Sequence, residues 1–213
     1  MRNKFKYGLL SGFVGLTITA GILGQLHAQT VSPAGGPNIV APARFQTYQA
    51  TYQAVTAAAS ATDIVVVGGS ATKTIFVKRM TVSGISTADG TSSVALIKRS
   101  TADTLGTPIT PSATAGGQLV PLDSANAAAT ATVVAYSANP TTGTAVGIVA
   151  GGRLRTSVAA TSAAGGQLVF DFSSTNDQAL TLRGVAQQLA LSGLGSSLVA
   201  GAVLTVTVEW LEQ

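Results

Sequence analysis

The sequence predicts an all-β protein: a single two-sheet antiparallel sandwich, jelly-roll-like, with an N-terminal leader and an extended arm. Three observations carry this. Short apolar or alternating runs recur along the chain and are closed by Gly, Pro, Asn or an Asp-Gly pair, with no long helical period between them. The final stretch, residues 202–210, alternates cleanly: Ala202, Leu204, Val206, Val208 and Trp210 point one way, and Val203, Thr205, Thr207 and Glu209 the other. Such a strand needs a second layer to bury its apolar face. Finally, only 9% of residues are charged and 5% aromatic, with Ala, Thr, Gly, Ser and Val abundant. Small and β-branched side chains suit closely packed pleated surfaces.

Residues 1–28 read as a signal peptide or membrane anchor. Arg2, Lys4 and Lys6 precede an apolar stretch from Leu9 to Gly24, and Leu26-His27-Ala28 offers a cleavage site. The stretch is short for a span of roughly 20 residues and is rich in glycine, which favours cleavage and export to the periplasm, cell surface or medium. Residues 29–62 read as a flexible linker or arm with a possible first strand. Pro33, Pro37, Pro42 and Gly35-Gly36 keep its first part irregular. Thr47-Tyr-Gln-Ala50 is repeated at once as Thr51-Tyr-Gln-Ala54, and Tyr48 and Tyr52 share a face. This is either an ordinary first strand or an arm that adds to a neighbouring subunit's sheet edge.

Residues 63–213 read as the β-sandwich domain, of about eight to ten strands by the usual sandwich pattern. Residues 64–67 are a continuous apolar run ended by Gly68-Gly69. Residues 74–82 and 94–99, joined through Asp89-Gly90, read as a hairpin. Residues 101–128 form a Pro- and Gly-punctuated excursion with one short strand at 118–122. Further strands are expected at 130–136, 144–149, 153–158, 167–172, 179–183 and 186–191. Gly193-Leu-Gly-Ser-Ser197 then turns the chain into the last strand.

The composition excludes several chemistries. There is no cysteine, and the one histidine, His27, lies in the leader. The remainder therefore lacks Ser-His-Asp and Cys-His catalysis and any zinc site built on His or Cys. No catalytic, cofactor-binding or metal-ligating residue is assigned. Net charge is +4, but without the three leader cations nine basic residues face eight acidic ones, so the charge does not argue for nucleic acid. Ser70-Ala-Thr-Lys73 matches Ser-x-x-Lys, but it lies in a turn and lacks the companion motifs. Asp171, Ser173, Thr175 and Asp177 alternate as oxygen donors without the glycine or bidentate glutamate of a calcium loop. Lys78-Arg79 and Lys98-Arg99 fall on the two arms of the expected hairpin; depending on register they form a basic patch of up to four charges for an anionic surface or glycan, or stand as four splayed, solvated side chains. Trp210 is a candidate for stacking on a sugar or for core packing.

Ser70-Ala-Thr-Lys-Thr-Ile-Phe-Val-Lys-Arg-Met-Thr-Val-Ser-Gly84, Lys98-Arg-Ser-Thr-Ala102, Ala127-Ala-Ala-Thr-Ala-Thr-Val133, Thr181-Leu-Arg-Gly184 and Leu204-Thr-Val-Thr-Val-Glu-Trp210 together resemble a loose group of uncharacterised jelly-roll-like structural proteins of bacteria, phages and prophages. The resemblance implies a structural role, with a virion as an alternative destination, and brings no catalytic residues. The expected function is thus a non-enzymatic subunit that self-associates, as in a capsid, decoration, fibre or surface layer. The alternative is a secreted monomeric glycan- or surface-binding module. Tyr48, Tyr52, Lys78, Arg79, Lys98 and Arg99 are the expected subunit or anion contacts. The expected partner is a second copy, with a membrane involved only through an uncleaved N-terminal segment.

Overall fold

The structure, a computed structural model, describes residues 45–158, 165–173 and 179–213. The leader and the first part of the arm lie outside these residues. Among the described residues there are twelve strands: β1 (Gln46–Thr56), β2 (Ala61–Gly68), β3 (Thr74–Ile85), β4 (Gly90–Arg99), β5 (Thr107–Pro108), β6 (Gly116–Pro121), β7 (Thr132–Ala138), β8 (Ala145–Thr156), β9 (Leu168–Asp171), β10 (Leu180–Arg183), β11 (Gln188–Ser196) and β12 (Val203–Glu212). They form two antiparallel sheets packed as a sandwich, not closed into a barrel. The first sheet runs β10-β3-β12-β1-β6, with β9 also paired to β3. The second runs β5-β7-β2-β11-β4-β8.

The pairings are nested. β1 pairs with β12, β2 with β11, β3 with β10 and β4 with β8, and successive pairs alternate between the sheets. This is a long antiparallel ribbon wound around the core, the jelly-roll arrangement. The link from β4 to β8 is expanded and carries three extra strands. β6 lies beside β1 at one edge of the first sheet, while β7 and β5 extend the second sheet beyond β2.

The core lies between the sheets. In β12, Leu204, Val206, Val208 and Trp210 are all buried, as the alternation predicts. Trp210 stacks on Tyr48 of the neighbouring strand with ring centroids 5.8 Å apart and planes 20° from parallel. Such a pair adds about 0.5–1.5 kcal/mol beyond the burial of its area. In β9, Phe170 is buried while Val169 is half exposed, again the expected parity.

Several boundaries differ from the sequence reading. The sandwich begins at Gln46, because β1 is an interior strand of the first sheet, flanked by β12 and β6. The hairpin expected from 74–82 and 94–99 is absent: β3 and β4 lie in different sheets. Their short link is drawn across the end of the sandwich. Ser86 N donates to Ser157 O, Thr87 N to Ala200 O, and Asp89 Oδ1 accepts from Val158 N. The strands expected at 144–149 and 153–158 are one strand, β8, running through Gly151-Gly152. Most of the turn expected at 193–197 is the end of β11.

Candidate functional site

The six residues expected as contacts do not form one surface. Tyr48 and Tyr52 are fully buried inside their own sandwich, not displayed on an arm. The Tyr48 hydroxyl donates to Ala127 O at 2.9 Å, and that of Tyr52 donates to Val133 O at 3.2 Å. Each phenol thereby ties β1 to the expanded link, and burial raises both hydroxyl pKa values. Gly116 and Gly117, at φ +79° and +81°, let β6 approach this strand. A Cβ on the first would overlap Thr51 O, and one on the second the Tyr52 ring.

The four cations are divided between the sheets. The pairing of β3 with β12 slips where Glu209 faces Arg79 but Trp210 faces Val77, so Lys78 is an extra residue. Both cations then reach one carboxylate: Lys78 Nζ lies 3.1 Å from Glu209 Oε1 and Arg79 Nη2 lies 2.9 Å from Oε2. Lys98 Nζ donates to Thr181 O at 3.0 Å. Arg99 is buried. The basic patch of up to four charges is therefore not assembled.

Arg99 instead centres a cluster that the sequence reading missed. Its guanidinium is held bidentately by Asp63, with Nη2 2.7 Å from Oδ1 and Nε on Oδ2. Nη1 donates to Gly143 O at 2.7 Å, and Nε lies 3.6 Å from Asp103 Oδ1. Asp103 Oδ1 accepts from Gly143 N at 2.9 Å, and its own backbone N–H donates to Gln188 Oε1 at 2.8 Å. Both carboxylates have fully inaccessible side chains. Burial works against the guanidinium charge, but Asp63 and Asp103 keep its pKa above the ordinary value. Burial and the nearby Asp63 push the Asp103 carboxyl up to about 6, against the Gly143 N–H and Arg99. Asp103 Oδ2 is buried with no hydrogen-bond partner.

A second buried carboxylate, Glu212, accepts from Thr130 N (2.8 Å), Ala131 N (3.0 Å), Thr130 Oγ1 (2.8 Å) and Trp210 Nε1 (3.1 Å), with Lys73 Nζ at 3.4 Å. Burial alone would raise its pKa, but these donors outweigh it and hold the group below the ordinary value. Lys73 also donates to Gln46 Oε1 at 2.6 Å, while Ser70 Oγ accepts from Thr72 N and Lys73 N. Ser70 and Lys73 thus belong to a turn and an ion pair, with no serine–lysine dyad. Both clusters clamp the expanded link: one holds Asp103 and Gly143, the other Thr130 and Ala131.

The other sequence motifs are equally local. Asp171 Oδ1 accepts from Ser173 N and Oγ at 2.7 Å each; Thr175 and Asp177 lie outside the described residues. No group of three or more His, Cys, Asp or Glu among the described residues could hold a metal ion. Trp210 is wholly buried and cannot stack on a sugar. Two shallow depressions have volumes of about 230 and 260 Å³. One lies among Gln49, Thr51, Gln118 and Val120, the other along residues 56–59 and 197–202.

One sheet edge carries exposed apolar side chains. β8 pairs with β4 on one side, and among the described residues no strand pairs with the other. Val146, Ile148 and Val149 are 64%, 63% and 40% exposed. No family model matches the chain, and no curated protein or solved structure matches it.

Proposed function

We propose that this chain is a non-enzymatic structural subunit that self-associates into an extracellular or virion assembly such as a capsid, decoration, fibre or surface layer. The observation that supports the reading is the β8 edge: a long strand with apolar side chains in solvent and, among the described residues, no strand paired along its outer side, where only Arg155 O near the C-terminal end is taken, by Gly166 N. Exposed edges template pairing with another chain, and proteins that remain monomeric normally shorten, charge or cover them. The buried polar groups fit a structural role as well, since the Arg99 and Glu212 clusters bind loops of the same chain. Their carboxylates face backbone N–H groups and cations, not a cleft. Of the arm expected over residues 29–55, residues 46–55 belong to β1, an interior strand, so association need not involve them.

Light scattering on the full chain, as recovered from the producing cell, across a hundredfold range of concentration, with negative-stain microscopy, tests the reading. Discrete oligomers or ordered arrays are expected. A monomer throughout that range would overturn it.

A further inference from the structure

We infer that β8 is the association edge and that its occupant is β8 of a second copy, paired antiparallel about a two-fold axis near Gly147. The two six-stranded sheets would then become one continuous sheet of twelve. This deepens the self-association reading and rests on it.

The choice of edge follows from comparing all of them. The first sheet ends in β6, six residues closed by Pro121, and on its other side in β9 and β10, four residues each. The second sheet ends in β5, two residues including Pro108, and in β8, twelve residues without proline. Short or proline-bearing edges resist pairing. From Ala145 to Gly152, β8 has neither charge nor proline, a length of about 26 Å at strand rise. The pairing with β4 slips twice, leaving Val149 and Val146 as extra residues. Bulges re-aim side chains, and these two valines stand in solvent.

The choice of occupant follows from symmetry and charge. An antiparallel strand presents the same pattern of donors and acceptors after a two-fold rotation, so an uncharged edge complements itself. With the axis at Gly147, Val146 faces Ile148 of the other copy and Ala145 faces Val149. Within β8 this register pairs residues 145–149 of the two copies, and Arg153 and Arg155 fall beyond the other copy's Ala145, so no cation meets a cation. A charged partner would find no counter-charge on this segment. At the axis itself, a Cβ on Gly147 meets nothing within 4 Å, so a side chain is accommodated there.

Two variants test the assignment in the full chain. The protein has no cysteine, so Gly147→Cys places one thiol per chain on the axis. Residues paired across an antiparallel contact sit about 4.5–5.5 Å apart at Cα, within disulfide reach. Mild oxidation is expected to give a covalent dimer. Val146→Lys with Ile148→Lys, at exposed sites, is expected to leave the thermal unfolding profile unchanged and weaken association about tenfold or more, because like charges face each other across the axis. Association that survives the lysine pair, with no covalent dimer from the thiol, would overturn the β8 assignment while leaving self-association standing. A wild-type monomer at every concentration would overturn both.

Discussion

Asp103→Asn isolates a titration inside the Arg99 cluster. Asp103 shares one guanidinium with Asp63, its side chain is inaccessible, and burial raises its pKa from 3.8 to about 6. The native state therefore binds a proton that the unfolded chain releases. A raised carboxyl pKa gives stability that is complete below the unfolded value of about 3.8 and is lost as pH rises through about 6. The shift of roughly two pH units corresponds to about 3 kcal/mol, with about half of it present at pH 5. Asparagine keeps the acceptor for Gly143 N and adds an N–H donor where Oδ2 has no partner. Arg99, Asp63 and Tyr136 are the titratable groups around it and are common to both proteins. Urea unfolding followed by fluorescence of the single tryptophan, Trp210, from pH 4.5 to 7.5 measures the difference directly. The variant is expected to gain on the wild type by about 2 kcal/mol between the ends of that range. A difference that stays flat with pH would show that Asp103 does not titrate there, and the reasoning about two carboxylates on one cation would fail.

Other substitutions separate buried from exposed electrostatics. Arg99→Met leaves Asp63 and Asp103 without their cation and is expected to cost about 3–5 kcal/mol in urea unfolding. Glu212→Gln removes the charge from a group with four donors and is expected to cost about 2 kcal/mol at pH 7. Its loss should shrink as pH falls through the depressed Glu212 pKa, where the wild-type charge is itself neutralised. Tyr48→Phe removes the hydroxyl that lies 2.9 Å from Ala127 O and 3.0 Å from Gln46 Oε1 and is expected to cost about 1–2 kcal/mol. Lys78→Ala, at a partly exposed pair, is expected to stay within about 0.5 kcal/mol of wild type.

Strand parity was the most legible feature of this chain. The inward set Leu204, Val206, Val208 and Trp210 followed from alternation alone, as did Phe170 against Val169. Extending the same count by one step places Glu212 on the inward face, and a carboxylate there must find donors; that signal was present and unread. The lone Asp63 at the head of Ile64-Val-Val-Val67 likewise implied a buried partner, but nothing local points to Arg99, 36 residues away. Lys98 and Arg99 look alike as neighbours, yet one reaches a carbonyl near the edge of the core and the other is enclosed. Sheet membership was not legible either. A short link after β3 allows a hairpin or a crossing to the other sheet, and backbone bonds from Ser86 and Thr87 to distant loops decide it. Alternation puts Tyr48 and Tyr52 on one face; their burial depends on β6 and the link residues 127 and 133, which local sequence does not place.

The expanded link also bears on why one edge is left open. In the nested ribbon of β1–β4 with β8 and β10–β12, four strands would lie at sheet edges: β1, β10, β2 and β8. The link between β4 and β8 covers two of them, laying β6 along β1 and β7 along β2. β9 lengthens the short flank beside β10. Each of the two buried carboxylate clusters anchors this link, and Tyr48 and Tyr52 bond to it from the core. Considerable buried polarity is thus committed to closing edges at β1 and β2, while β8 keeps valine and isoleucine in solvent. If that contrast reflects use of the β8 edge, weakening the link should create new association, not abolish it. Glu212→Gln, by loosening residues 130–131 over β2, is then expected to broaden the assembly seen by light scattering. The Val146→Lys and Ile148→Lys pair is expected to narrow it towards monomer. Equal loss of association in both would mean that assembly depends on general stability and not on which edge is exposed.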